Sequence, residues 1–302
     1  MRMNILKKPF LWCWPLLLLA FNTASAFELQ YVGASSQEYS GPHDLVISPD
    51  GKYLFVADNN NDRIAVLDPT DLKLITTFGD NEVGAPHDVA FDTKGRLLVA
   101  DTDNSRIAIY TITVNNTSLT AKLTGELRGK FRRPEGVGVH ADGRIYVTGA
   151  SSDNVEVFRD GRSIGDTGGL SSPHDVVVSK DGTIWIADAG NDRLVHMTDD
   201  LKVIKTLKGK PYHFSGPRYL DFDGMTNTNN NDIKSRLYVA DKHNHQVKVL
   251  ASDGTLLSTL GTGEKGLGAG KFNRPEGITI HGSDIWFSDT YNDRIVKYRI
   301  LE

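Results

Sequence analysis

Short apolar runs that alternate with polar positions, separated by turns rich in Gly, Pro, Asn and Asp, occupy most of the chain. Alternation with period two predicts strands, and the turn residues between them predict hairpins. From His43 onward the pattern predicts strands over 43–48, 53–57, 64–67 and 72–78, with Pro49-Asp50-Gly51 as the first turn. The same four-strand pattern covers 89–125, 137–164, 176–207 and 220–260, and a last copy stops after its third strand, at 295–300.

The copies start near Pro42, Pro86, Pro134, Pro173, Pro217 and Pro275. Four carry Asp-x-x-Asn-x-Arg after the second strand, Asp58/Asn61/Arg63, Asp101/Asn104/Arg106, Asp188/Asn191/Arg193 and Asp289/Asn292/Arg294, and the fifth has Asp241/Asn244/Gln246. The third copy has Gly149/Ser152/Asn154 instead. A β-rich period of about 40–50 residues is the signature of a propeller blade. The predicted fold is therefore all-β, a six-bladed propeller of four-stranded blades. Residues 27–33 resemble the outer-strand segment 256–261, so the N-terminal strand is expected to complete the sixth blade and close the ring. Pairing the ends in this way removes exposed sheet edges.

Arg2, Lys7 and Lys8 precede an apolar stretch centred on 16–19 and then Ala24-Ser25-Ala26, the three regions of a secretory signal peptide. The expected division is a signal over 1–26 and one domain over 27–302, exported to a periplasm or the extracellular space. The apolar stretch is too short for a spanning helix, and no later segment approaches membrane length. The one cysteine, Cys13, lies in the signal, so the mature chain folds without disulfides, and its size allows core burial to suffice. Removing three positive charges and no acid takes the formal charge from -4 to -7. That balance, without basic stretches bearing interleaved aromatics, argues against nucleic acid as a partner. The expected state is a monomer.

Two segments depart from the period, an outer-strand extension near 114–122 and a polar insert at 226–232, both expected as surface loops. The insert offers one carboxylate, Asp232, where a calcium loop needs several oxygen ligands at fixed spacing.

Gly-Lys-Phe-x-x-Pro-Glu-Gly at 129–136 and 270–277, with Val-Ala-Asp-x-x-Asn-x-Arg-Ile, resembles the NHL repeat. NHL propellers serve many functions, so the resemblance speaks to fold more than activity. More distantly, the chain is similar to peptidyl-α-hydroxyglycine α-amidating lyase, a six-bladed propeller in which three histidines, each after a proline at the start of an inner strand on blades 2, 4 and 6, hold a catalytic zinc. That resemblance implies His87, His174 and Glu276 as the matching positions, the last a departure. The lyase also carries an arginine in a blade 1 loop and a tyrosine in a blade 3 loop, where this chain has Asn60 and Ser151.

In a propeller the inner-strand starts ring one channel mouth, which brings together His43, His87, Glu135, His174, Arg218 and Glu276. Two histidines and a carboxylate are a zinc set with an open fourth position, so His87, His174 and Glu276 are the candidate metal ligands, for zinc or calcium. Glu276 also has Arg218 on the neighbouring blade as a potential partner. The loops after the second strands add Asn60, Asp103, Ser151, Gly190, His243 and Tyr291 at the same mouth. Arg218 and Tyr291 are candidate catalytic groups, a cation for a substrate carboxyl and a phenol. His43, Glu135, Asp103 and His243 are candidate ligand-binding residues. The repeated aspartates, Asp58 among them, are expected to be turn and inter-blade partners of the arginines, since a catalytic site does not recur in every blade. Two function classes follow: a binding module for a small molecule, peptide or protein at the mouth, or a metal-dependent lyase or ester/lactone hydrolase.

Overall fold

The computed structural model describes residues 28–115, 118–224 and 235–301. Six four-stranded antiparallel sheets form a ring, and in the first five the strand order follows the chain from the channel outward. Blade 1 comprises Pro42–Ile47, Leu54–Asp58, Arg63–Leu67 and Leu74–Phe78, within two residues of the expected limits. Blade 6 is composite, as the sequence implied. Glu28–Ala34 pairs antiparallel with Arg294–Leu301, supplying the outer strand to Asp284–Asp289 and Ile278–His281.

The outer-strand extension of blade 2 differs from expectation. The 114–122 region is not a loop; Arg106–Asn115 and Ser118–Leu127 form a long hairpin that extends blade 2 outward. Its alternation of Ile112, Leu119, Ala121 and Leu123 lays apolar side chains on the interface of blades 1 and 2. The signal segment and the 226–232 insert lie outside the described residues. Among the described residues no helix is long and apolar enough to cross a membrane.

The core sits between blades. Phe55 and Val66 of blade 1 pack on Val89 and Leu97 of blade 2, and Leu45 and Leu54 pack on Trp286 and Ile295 of blade 6. Second strands are sandwiched on both faces, which is why Leu54–Asp58 and Leu97–Asp101 are buried throughout rather than alternately.

The signature residues satisfy backbone groups that the turns leave without partners, as buried peptide groups must be. The repeat aspartate accepts the N–H two residues before the blade's proline, from Ser40 to Asp58 (2.8 Å), Gly84 to Asp101 and Ser171 to Asp188, and it pairs with its own arginine. These bonds lie within one blade, so the inter-blade role expected of the aspartates falls elsewhere. It belongs to the residue between Asn and Arg: Asp62, Ser105, Asp153, Asp192, His245 and Asp293, all left-handed with φ from 49° to 56°. Each side chain accepts the N–H of the residue preceding the next blade's proline: Ala85 (2.7 Å), Arg133 (3.3 Å), Ser172 (2.8 Å), Gly216 (2.7 Å), Arg274 (2.9 Å) and, across the seam, Gly41 (2.8 Å).

Blade 3 keeps the aspartate's bond through another residue and adds two more. Ser152 accepts Arg132 N–H, and the fully buried Glu156 accepts the N–H groups of Lys130 (2.7 Å) and Phe131 (3.2 Å). A Cβ on Gly149 would stand 2.1 Å from the Ser152 hydroxyl, so this arrangement needs glycine where other blades have aspartate.

Candidate functional site at the channel mouth

Because the inner strands of blades 1–5 open with proline, and Pro275 precedes that of blade 6, the following residue turns to the channel at the same level in every blade. His43 stacks on His87 with ring centroids 4.3 Å apart, and His87 meets His174 at 5.9 Å. Glu135 sits between them, 2.8 Å from His174 Nε2 and 3.9 Å from His87 Nε2, with Arg218 at 4.0 Å. The ligand atoms of His87, Glu135 and His174 all lie within 4.8 Å of one another.

Glu276 is not in this group. Its carboxylate is 2.6 Å from Lys242 Nζ and 3.3 Å from His43 Nε2, so its partner is Lys242 and not Arg218. The grouping thus joins His87 and His174 to Glu135, in place of the alternate-blade set with Glu276. Lys242 stands where blades 1, 2 and 6 have Asn59, Thr102 and Thr290, short side chains that donate to the next blade's proline carbonyl. The longer lysine reaches past that carbonyl to the mouth.

At His87 the protonation pattern suits a metal; at His174 the Nε2 proton given to Glu135 would have to leave before a metal could bind that atom. His87 Nδ1 lies 2.9 Å from the Ala85 carbonyl and 2.9 Å from the Thr102 hydroxyl, whose own hydrogen goes to Pro134 O; Asn59 Nδ2 is 3.1 Å away. With the Asn59 amide hydrogen directed to Pro86 O, the two acceptors assign the proton to Nδ1 and leave the Nε2 lone pair facing Glu135, as outer partners orient metal-ligating histidines. Burial, with the Arg218 charge, lowers His174 to about 4, so it is neutral at neutral pH. Burial alone would raise Glu135, but His174, His87 and Arg218 hold it well below the usual carboxylate range. With His174 neutral, the Nε2–H bond and the guanidinium do this, rather than an imidazolium. Burial likewise opposes ionisation of Glu276, yet His43 and Lys242 bring it to about 2. Burial depresses His43 strongly, which leaves the Lys242 ammonium as the charge that holds Glu276.

Tyr219 braces the site from below. Its buried hydroxyl lies 2.9 Å from the His87 carbonyl and 3.0 Å from that of Glu135, donating across the pair, and its ring meets His174 edge-on at 5.1 Å. Neither Tyr219 nor Lys242 stands out in sequence, because each occupies a position that other blades fill differently.

At the rim, Tyr291 is half-exposed with Arg274 4.6 Å and Lys242 5.5 Å from its ring. The His243 ring lies against Gly216, where a Cβ would come within 2.6 Å, and burial with Lys242, Arg218 and Arg274 nearby lowers its pKa. Asp103 is taken up by Arg133 at 2.6 Å and is more than half exposed. Asn60, Ser151 and Gly190 reach the rim through backbone bonds to Ser40, Arg132 and Ser171.

Below the mouth, the aspartates of the His-Asp pairs bind neighbouring inner strands: Asp88 accepts Val137 N–H (2.5 Å) and Asp175 accepts Leu220 N–H (2.8 Å). Burial raises both, Asp88 to about 6, and Asp44 is raised by burial and by its hydrogen-bonded neighbour Asp88. They line a channel cavity of about 410 Å³. A larger cleft of about 870 Å³ lies away from the mouth histidines, at the inner hairpin turns of blades 2–4. Its carboxylates are engaged, Asp92 by Arg96, Asp181 by Thr183 and Asp199 by Arg144, so the chemistry stays at the mouth.

Residues 84–110 and 170–197 match the family model of the NHL repeat. The chain carries NHL repeats. Among curated proteins, this NHL propeller is 28% identical over 181 residues to peptidyl-glycine alpha-amidating monooxygenase of Mus musculus and 27% identical to the Rattus norvegicus protein. Each match covers 52% of this chain and only 18% of the relative. Among solved structures, virginiamycin B lyase from Staphylococcus aureus superposes with a TM-score of 0.64 at 14% identity, over 91% of this chain and 100% of that one. An auxiliary nutrient binding protein from Bacteroides ovatus gives 0.67 at 16%, over 92% and 77%. At such identities the structural likeness speaks to the fold.

Proposed function

We propose that this is an exported ligand-binding propeller whose mouth holds one divalent cation on His87, Glu135 and His174 and takes a small anionic ligand against it. The observation that carries the reading is the convergence of those three donors within 4.8 Å of one another. Two imidazoles and a carboxylate favour zinc with an open fourth position, whereas calcium prefers six to eight oxygens. The charges favour an anion. Glu135 and Glu276 roughly balance Arg218 and Lys242, so a bound dication leaves the mouth positive, with Arg274 adding to it at the rim. When bound, zinc would act as a Lewis acid on a ligand oxygen. The chain's own residues would orient the ligand: Arg218 its anionic end, and Tyr291 with Arg274 the part that reaches the rim. Export rests on the make-up of residues 1–26.

A metal-dependent lyase is the second reading, favoured by the likeness to amidating monooxygenases. Against it stand the pairing of Glu276 with Lys242 and the Asn60 and Ser151 departures.

The test is metal content. Protein expressed from Phe27 without a histidine tag should carry about one zinc per chain by elemental analysis. A protein that is metal-free and takes up no zinc at micromolar concentration overturns the reading. Glyoxylate release from a peptidyl-α-hydroxyglycine by the zinc-loaded protein separates the lyase from the binding module.

A further inference from the structure

The six inter-blade clasps are geometrically alike, but one differs in chemistry. Four use an aspartate and one a serine, while between blades 5 and 6 the acceptor of Arg274 N–H is His245 Nδ1. Aspartate and serine keep their acceptor lone pairs throughout the mildly acidic range. An imidazole that gains a proton has two donors and no acceptor. It then faces the Arg274 N–H with an N–H of its own, in a junction where Arg274 is itself left-handed (φ 54°) and held in place by this bond.

We propose that His245 is a pH-operated latch between blades 5 and 6, closed when neutral and released by protonation, and that its release frees Arg274 from the rim of the mouth. The inference does not rest on a bound metal or ligand.

The surroundings set the direction. From the loop after blade 5's outer strand comes Lys265, from the segment before blade 6 comes Arg274, and from blade 6 comes Asp289. On its own turn lie Asp241, Lys242 and His243. Burial, then Lys265 and Arg274, lower the His245 pKa below its ordinary 6.5, against the attraction of Asp289. The closed latch therefore binds its proton more weakly than the open one. Its stabilisation is complete above the ordinary histidine value and is lost as the pH falls through the closed-state value. Release affects the mouth because the Arg274 guanidinium packs 4.6 Å over Tyr291, and the N–H bond is what anchors that residue to blade 5.

Hydrogen exchange of the apo protein at pH 7.5 and 5, corrected for intrinsic rates, tests this. Protection of the Arg274 amide should fall about tenfold or more at the lower pH, one unit of proton competition being worth a factor of ten. The matching amides of Ala85 and Gly216, clasped by Asp62 and Asp192, should change little in the same molecule. His245→Asp should hold the Arg274 amide equally at both pH values, and His245→Asn serves if the aspartate variant does not fold. Arg274 protection that is independent of pH in the parent protein overturns the latch, as does equal acid loss in the parent and in the variant.

Discussion

His174→Ala is expected to abolish metal binding, lowering zinc affinity by at least 100-fold, beyond the 10–100-fold that loss of an outer partner typically costs. His174 is 2% exposed and its Nε2 is 2.8 Å from Glu135, so the variant removes a donor from the centre of the group. Glu135→Gln should weaken zinc strongly as well, because an amide is a poor zinc donor. Glu276→Gln should leave zinc in place, since that carboxylate is engaged by Lys242. His43→Ala should cost far less than His174→Ala: His43 only stacks on His87 and binds Glu276. Competition with a chromophoric chelator measures all four, and the melting temperature of the metal-free proteins separates lost ligation from lost folding. A large loss in the Glu276 variant with little in the Glu135 variant would favour the alternate-blade set; a His174→Ala protein that binds zinc like the parent would end the metal reading.

The second large effect concerns the channel wall. Gly138→Val should destabilise the fold by about 3 kcal/mol or more, the upper end of overpacking costs. A Cβ at Gly138, on the inner strand of blade 3, would come within 2.3 Å of the Val176 carbonyl oxygen on the inner strand of blade 4. The obstacle is backbone, so no rotamer relieves it and two blades must separate. For a domain of this size that corresponds to a fall in melting temperature on the order of 10 °C. Gly165→Val, on the outer strand of the same blade with nothing within 4 Å of its added Cβ, is the matched control and should stay within about 0.5 kcal/mol. Similar melting temperatures for both variants would show that the inner strands tolerate separation.

The fold was legible because the repeat writes it six times: the prolines mark inner-strand starts and the Asp-x-x-Asn-x-Arg signature marks the turns. Only part of the mouth could be read this way. Sixfold reasoning treats His43, His87, Glu135, His174, Arg218 and Glu276 as equivalent, so it pairs alternate blades by symmetry. A single irregular residue breaks that symmetry. Lys242, in a slot that elsewhere holds Asn59, Thr102 or Thr290, draws Glu276 aside and leaves Glu135 with the histidines. The variable position inside Asn-x-Arg carries the inter-blade clasps and the exceptional His245, and its varied residue types give no repeat signal. Blade 3 lacks the letters of the signature but keeps its central bond, since Ser152 accepts the N–H two residues before the proline and Glu156 adds two further bonds from another position. The outward hairpin of blade 2 read as a loop because its alternation serves a neighbouring blade rather than its own.

The Asp293-to-Gly41 clasp across the seam repeats the Asp62-to-Ala85 clasp inside the chain, and Glu28 lies paired beside Leu301. The covalent link from one blade to the next therefore adds connection but little orientation. A circularly permuted gene, with these neighbouring ends joined and new ones opened in the turn between any two blades, would still encode all six fastenings. What the sequence must preserve is the cyclic order of the blades, not which of them is written first.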